Sequence, residues 1–166
     1  METEKEAKIY VELKFGPKWT YISTVRAFVE NFMAITLENK KKATSIAMAV
    51  NELIENAVKF SDLDGSELNI YVISVKKIIK VIVTNHASQE NIDDLQRSLK
   101  ELFESPPLEA YIKRMQDSTV SLDGKSALGL ARIRYECKAE ITTNIENGIV
   151  KITAEIPTEK WGGDNE

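Results

Sequence analysis

The sequence has few of the residues on which covalent and metal chemistry most often depend. Its 166 residues include one cysteine, Cys137, and one histidine, His86. A single cysteine excludes an internal disulfide and a thiolate metal cluster, and it fits a reducing compartment. Because His86 is the only imidazole and no GxSxG motif accompanies it, a hydrolase with a nucleophilic triad is disfavoured.

Two further absences concern partners. No apolar run approaches the roughly 20 residues that a membrane-spanning helix needs, and the charged start METEKEAK lacks the apolar core of a signal peptide. The net charge is −4, and basic residues are not interleaved with aromatic ones, which disfavours nucleic-acid binding. We therefore expect a cytoplasmic protein that binds neither nucleic acid nor a membrane.

Length and composition are those of one folded domain. Hydrophobic residues make up 43% of the chain and charged residues 29%, which argues against disorder. A chain of this length can bury a sizeable core. We expect one domain over residues 1–157 and a flexible tail over residues 158–166.

The spacing of apolar residues alternates between the periods of strands and helices. Period two predicts strands, and a period near 3.6 predicts helices. Read in this way, the sequence predicts five strands, at residues 8–15, 68–75, 78–84, 140–145 and 149–156. It predicts helices at residues 19–37, 44–60, 91–104 and 108–117, and a further helix after Gly129. Residues 118–127 are predicted to form a polar loop. This order predicts an α+β fold: a two-layer α/β sandwich whose mixed, mostly antiparallel sheet carries helices on one face.

The stretch AVNELIENAVKFS, residues 49–61, carries the strongest chemical signal. Helical spacing places Glu52, Asn56 and Lys59 on one face, beside the apolar stripe. A carboxylate that could orient water, an amide oxygen that could bind Mg²⁺ and an ammonium that could meet phosphate lie there together. The alternative is a solvated helix edge, but asparagine has poor propensity at mid-helix, so solubility alone does not explain its choice.

Residues 51–61, NELIENAVKFS, resemble the N-box, NExxxNAxK, of the histidine-kinase-like (GHKL, Bergerat-fold) ATPases. The resemblance implies that Glu52 is the general base or water-orienting residue, that Asn56 binds the Mg²⁺ bridging the phosphates of ATP, and that Lys59 lies near the phosphates. The order of elements is similar to that of stand-alone anti-sigma-factor serine kinases and SiaB-type partner-switching kinases. The similarity covers roughly residues 8–157.

Two other motifs of this family are altered. Where the family has DxGxG after a central strand, this sequence has NHASQ, residues 85–89; Asn85 could still accept a hydrogen bond from adenine, but side chains replace both glycines. GKSALGL, residues 124–130, resembles the glycine-rich lid motif GxGLGL, or RSGMGF in anti-sigma kinases, with Ala127 where a glycine is usual. The resemblance implies that phosphate is bound there by residues Lys125, Ser126, Gly129 and Leu130, with amides at a helix start adding partial positive charge.

These motifs lead to two functional hypotheses. In the first, the protein is an ATP-binding regulator of a bacterial partner-switching system, a divergent Ser/Thr kinase or anti-sigma-type switch that acts on a small partner protein, such as an anti-sigma-antagonist-like domain or a sigma factor. In the second, the nucleotide site has decayed and the fold is a protein-interaction module. The resemblance also implies a homodimer. An unrelated alternative is a scaffold whose first strand, IYVELKF, pairs with a copy of itself.

Overall fold

The computed structural model describes residues 8–61, 68–75, 77–120 and 128–158. In this part of the chain, five strands and five α-helices follow one another with one short 3₁₀ turn, Trp19–Tyr21. The elements in chain order are β1 (Lys8–Phe15), α1 (Ile22–Leu37), α2 (Lys40–Phe60), β2 (Leu68–Val75), β3 (Ile78–His86), α3 (Gln89–Phe103), α4 (Pro107–Val120), α5 (Leu128–Glu136), β4 (Glu140–Glu146) and β5 (Ile149–Pro157).

The described strands form one five-stranded sheet in the order β1-β2-β3-β5-β4. All four pairings are antiparallel, so the expected α+β fold with a mostly antiparallel sheet is confirmed, and no parallel pair occurs among these strands. The β4–β5 hairpin turns at Asn147 and Gly148, whose φ angles are 51° and 77°. Asparagine and glycine tolerate this left-handed conformation, which tight hairpin turns require.

One face of the sheet is covered by helices. Along β3, Val81 and Val83 are buried, whereas Lys80 and Ile82 on the opposite face are partly exposed. On that opposite face, Lys80 forms an ion pair of 2.7 Å with Glu155 of β5. α2 packs on β3 and β5 and is itself contacted by α1, α3 and α5. α2 is therefore the central helix of the layer that covers the sheet, and the predicted site residues Glu52, Asn56 and Lys59 lie on it.

Two helices begin earlier than their hydrophobic periodicity predicts. α2 begins at Lys40, because the side chain of Asn39 accepts a hydrogen bond of 3.0 Å from the backbone N–H of Lys42. α3 begins at Gln89 and not near residue 91, since Ser88 is its N-cap. Side-chain caps satisfy the free N–H groups of a first turn, so a helix can start before its apolar stripe does.

Further differences concern the predicted loop and tail. α4 extends to Val120, so the first three residues of the loop predicted at 118–127 are helical, and residues 121–127 lie outside the described part. From the predicted tail, Thr158 is described and donates from its backbone N–H to the carbonyl oxygen of Lys77 at 2.9 Å. Within the described residues, no helix combines the length and apolarity that crossing a bilayer needs.

Candidate functional site

The predicted site residues on α2 share a face but differ in burial. The side chain of Glu52 is 14% exposed, and Asn56, one turn later, is 8% exposed. Lys59, a further turn along, is exposed. The row formed by Glu52, Asn56 and Lys59 therefore runs from the helical layer outward to solvent. This is expected for polar residues that border a buried apolar stripe.

The amide of Asn56 is unusual in its hydrogen bonding, because the residue is buried. Within the described part of the chain it has no hydrogen-bond partner, although fully buried side-chain nitrogen and oxygen atoms there all have one. The amide oxygen therefore accepts no hydrogen bond from the described residues. An amide oxygen is the kind of ligand that a hard cation such as Mg²⁺ prefers.

The carboxylate of Glu52 is turned toward α5. Its Oε1 accepts a hydrogen bond of 3.1 Å from Nη1 of Arg132. Its Oε2 lies in the space that a Cβ at Gly129 would need, and such a Cβ would also lie 3.2 Å from the Cβ of Glu52. Gly129 thus has a steric reason to be glycine, beyond the phosphate contact that the family resemblance implies for it.

Arg132 was not among the sequence-predicted site residues. Its Nε also donates to Oε1 of Glu136 at 3.2 Å, and the same oxygen accepts from the hydroxyl of Tyr111 at 3.1 Å. A continuous chain of polar contacts therefore joins α2, α5 and α4. The spacing of Arg132 and Glu136 on one helix could have indicated their ion pair, but no local signal indicates the contact with Glu52.

The environment of Glu52 raises the pKa of its carboxyl group. Burial raises the pKa of Glu52 above its ordinary value, and the nearby charge of Glu55 raises it further. The hydrogen bond and charge of Arg132, together with the charge of Lys59, oppose this shift without cancelling it. A carboxylate with a raised pKa is a better proton acceptor when ionised, which suits a general base.

The predicted adenine-binding residue, Asn85, is 3% exposed at the end of β3. Its Nδ2 donates to the backbone oxygen of His86 at 3.2 Å, and within the described residues its Oδ1 accepts no hydrogen bond. Where the family has its two glycines, this chain has Ala87 and Gln89. Ala87 is buried, and Gln89 is the first residue of α3. No hydrogen bond or ion pair between described residues links Asn85 to the α2 row.

The predicted phosphate-binding residues divide into two groups. Gly129 and Leu130 lie in the first turn of α5, where Leu130 is packed in the core. Lys125 and Ser126 lie outside the described residues. Among the described residues, no group of three His, Cys, Asp or Glu side chains could hold a metal ion. Mg²⁺ at Asn56 would therefore take its other ligands from nucleotide phosphates and water, as this ion commonly does.

A cavity of about 380 Å³ between α1 and α2 contains none of the predicted site residues. It is lined from α2 by Asn51 and Glu55 and from α1 by residues that include Arg26. Successive helix positions are about 100° apart, so Asn51 lies about 100° round the helix from Glu52, and Glu55 lies between these two positions. The cavity thus borders the predicted row on the Asn51 side of α2 and is lined by none of its three residues.

Comparison with known proteins gives a fold but no family. No protein-family model matches the sequence, and no curated protein matches it. A chain in the crystal structure of the SiaB–SiaC complex from Pseudomonas aeruginosa is similar with a TM-score of 0.62 and 14% identity, over 89% of each chain.

Two crystal forms of the catalytic domain of the histidine kinase ThkA are similar at 18% and 17% identity. Both comparisons cover 89% of this chain and 96% of the other, with TM-scores of 0.46. TM-scores of 0.46 are too low to show a shared fold. The SiaB–SiaC comparison shows a shared fold over 89% of each chain.

Proposed function

We propose that this protein is an ATP-binding regulator of a bacterial partner-switching system and transfers a phosphoryl group to a serine or threonine of a small partner protein. The observation that carries the proposal is the pair on α2, one turn apart: the carboxylate of Glu52, whose pKa is raised, and the buried amide of Asn56, which has no hydrogen-bond partner among the described residues. Both belong to an N-box-like stretch. The fold shared with a chain of a two-protein complex supports a protein partner.

In this proposal the chain's residues bind and orient the phosphates. Asn56 would hold Mg²⁺, and this ion would supply charge neutralisation at the phosphates. Lys59 supplies a cation at the exposed end of the same row. The first turn of α5, with Gly129, presents backbone N–H groups and the positive end of the helix dipole. Lys125 and Ser126 would complete this side of the site, and Asn85 would accept a hydrogen bond from adenine.

Glu52 would act as the base in the transfer itself. It accepts the proton of the partner's hydroxyl as that oxygen forms a bond to the γ-phosphorus of ATP. The bond between this phosphorus and the oxygen bridging to the β-phosphate breaks, and ADP leaves with the electron pair. Because phosphoryl transfer depends mainly on positioning and charge neutralisation, these few groups suffice.

The first experiment tests nucleotide binding. Thermal unfolding is followed with and without Mg-ATP or Mg-ADP for the wild type, Asn56→Ala and Asn51→Ala. At ten times the dissociation constant, bound nucleotide should stabilise the wild type by RT ln 11, about 1.4 kcal/mol. Asn56→Ala should lose this shift, and Asn51→Ala should keep it, because Asn51 lies on another face of α2 and donates to Glu55. If no nucleotide shifts the wild-type transition, the proposal fails.

The second experiment tests phosphotransfer. Labelled ATP is incubated with the protein and with candidate partner proteins encoded nearby. Glu52→Gln should leave nucleotide binding nearly intact and abolish labelling of the partner, since the variant keeps the shape of the side chain but cannot accept the proton. Loss of nucleotide binding in this variant would contradict the role assigned to Glu52.

The second candidate function is a protein-interaction module without nucleotide. It is favoured by the buried methyl of Ala87 in the altered adenine motif and by the engagement of Glu52 with α5. The two candidates differ in one measurement: the module would bind its partner equally well with and without Mg-ATP, and no nucleotide would shift its unfolding transition.

We also propose that the protein is a cytoplasmic homodimer. Three apolar side chains seven residues apart, Tyr21, Phe28 and Ile35, are exposed along α1 and the turn before it, Ile35 at 81%. A repeated apolar stripe of this kind is typical of helix association. Light scattering should give twice the monomer mass for the wild type and the monomer mass for Ile35→Glu. A monomeric wild type would remove the dimer from the proposal.

A further inference from the structure

One residue outside the matched motifs, Arg132, contacts the proposed base directly. Its guanidinium uses two nitrogens on two carboxylates: Nη1 donates to Glu52 at 3.1 Å and Nε donates to Glu136 at 3.2 Å. The side chain of Arg132 is 42% exposed, whereas that of Glu52 is 14% exposed. The arginine thus reaches from the surface to a carboxylate that solvent itself reaches poorly.

We propose that Arg132 is a positioning residue that fixes the Glu52 carboxylate at the junction of α2 and α5. The inference rests on the proposed function, because orientation of this carboxylate matters for catalysis only if Glu52 is the base. Arg132 binds Oε1 on one side, and on the other Oε2 occupies the space that a Cβ at position 129 would need. The hydrogen bond from Arg132 thereby favours one orientation of a flexible side chain, beside the first turn of α5.

Arg132 is itself held in place. Glu136 binds its Nε, and the hydroxyl of Tyr111 donates to the same Glu136 oxygen at 3.1 Å. The ring of Tyr111 stacks on Tyr135 with 5.5 Å between centroids. An isolated surface ion pair contributes little, but a network that locks the rotamers of its members can orient a catalytic group.

The other charges near Glu52 cannot replace Arg132. Glu55 on the same helix repels the carboxylate, and Lys59 acts through its charge alone. On α5, Glu136 is a further carboxylate, and Tyr111 of α4 is neutral while it donates its proton. Without Arg132, Glu52 would lose its only hydrogen bond among the described residues and would be free to turn away from α5.

A direct test observes the Glu52 carboxyl group without any ligand. Glutamate is labelled with ¹³C at Cδ, and the Glu52 signal is assigned by its absence in Glu52→Gln. Arg132→Gln should shift this signal and move its titration midpoint to higher pH, and Arg132→Lys should restore part of both. Arg97→Gln is the matched control, because Arg97 pairs with Asp94 on the surface of α3. An unchanged Glu52 signal in Arg132→Gln would overturn the proposal, whatever the protein does with nucleotide.

A second test separates positioning from nucleotide binding. Turnover of Mg-ATP is measured as ADP formation in the presence of the partner protein identified by labelling, and binding is measured as the thermal shift with Mg-ADP. Arg132→Gln should lower kcat about ten- to a hundredfold, the usual effect of losing a supporting contact, with KM and the ADP shift unchanged. A parallel loss of the ADP shift would mean that Arg132 binds nucleotide and would overturn the positioning role.

The two proposals can fail separately. A wild type with neither turnover nor a nucleotide shift would refute the proposed function, and the ¹³C experiment would still decide whether Arg132 orients Glu52. A wild type with turnover that Arg132→Gln does not lower would refute the positioning role and leave the proposed function standing.

Discussion

Gly129 of α5 lies so close to Glu52 of α2 that a Cβ at position 129 would collide with the Glu52 carboxylate. This contact joins the N-box-like stretch to the lid-like motif, which are far apart in the sequence. It also explains in steric terms why a glycine stands inside the first turn of a helix, where glycine is ordinarily unfavourable.

The first prediction concerns this contact. In a helix, replacing glycine by alanine ordinarily stabilises by about 1 kcal/mol. In the wild-type background, Gly129→Ala should instead lower the free energy of unfolding by about 1–3 kcal/mol, because the new methyl collides with Glu52. In a Glu52→Ala background it should be neutral or stabilising. Urea unfolding of the wild type, Gly129→Ala, Glu52→Ala and the double variant measures the effect of the Gly129→Ala change in each background. Equal effects in the two backgrounds would contradict the contact.

The second prediction concerns pH. The pKa of Glu52 is raised by burial above the ordinary value of 4.5, so between these two pKa values the folded protein binds more protons than the unfolded one. Raising the pH through this window therefore lowers the free energy of unfolding. The Glu52→Gln variant has no such titration, so its stability relative to the wild type should increase as pH rises from 4.5 and then level off. Unfolding at several pH values checks this; a relative stability that falls over the same window would contradict it.

The third prediction concerns the thiol of Cys137. Burial first, and then the charge of Glu136, raises its pKa to about 12, and its Sγ contacts the backbone oxygen of Ser45 at 3.6 Å. Because the thiolate is the reactive form, a disulfide reagent at pH 8 should modify the folded protein very slowly and the urea-unfolded protein at once. Rapid labelling of the folded protein would show that this region opens readily.

The fourth prediction concerns the turn between β4 and β5. Gly148 has a φ of 77°, a conformation that costs a residue with a Cβ roughly 1–2 kcal/mol. Gly148→Ala should lower the free energy of unfolding by about this amount. Asn147→Gly is the matched comparison in the same turn and should be nearly neutral, since glycine adopts the φ of 51° at Asn147 easily. Equal losses in the two variants would argue against this turn geometry.

Most of the secondary structure followed from the sequence, apart from helix starts that side-chain caps set and the C-terminal end of α4, which extends to Val120. The apolar period predicted α2 from about residue 44, but Asn39 starts it at Lys40, and Ser88 starts α3 at Gln89. Each cap is a single side chain that lies before the periodic stretch. Periodicity alone therefore places the start of each helix too late in the sequence. The hairpin at Asn147 and Gly148 was predictable because its chemistry is local.

Two features are encoded locally: the common helix face of Glu52, Asn56 and Lys59, and the order of strands and helices. Both follow from the sequence, because helix and strand periods are local properties of the chain. The direction in which that face is turned depends on how the helices pack. Arg132 meets Glu52 across 80 positions of sequence, and Gly129 leaves room for its carboxylate, because packing of α5 on α2 brings these residues together. Contacts between distant helices depend on the fold of the whole domain, and no local pattern encodes them.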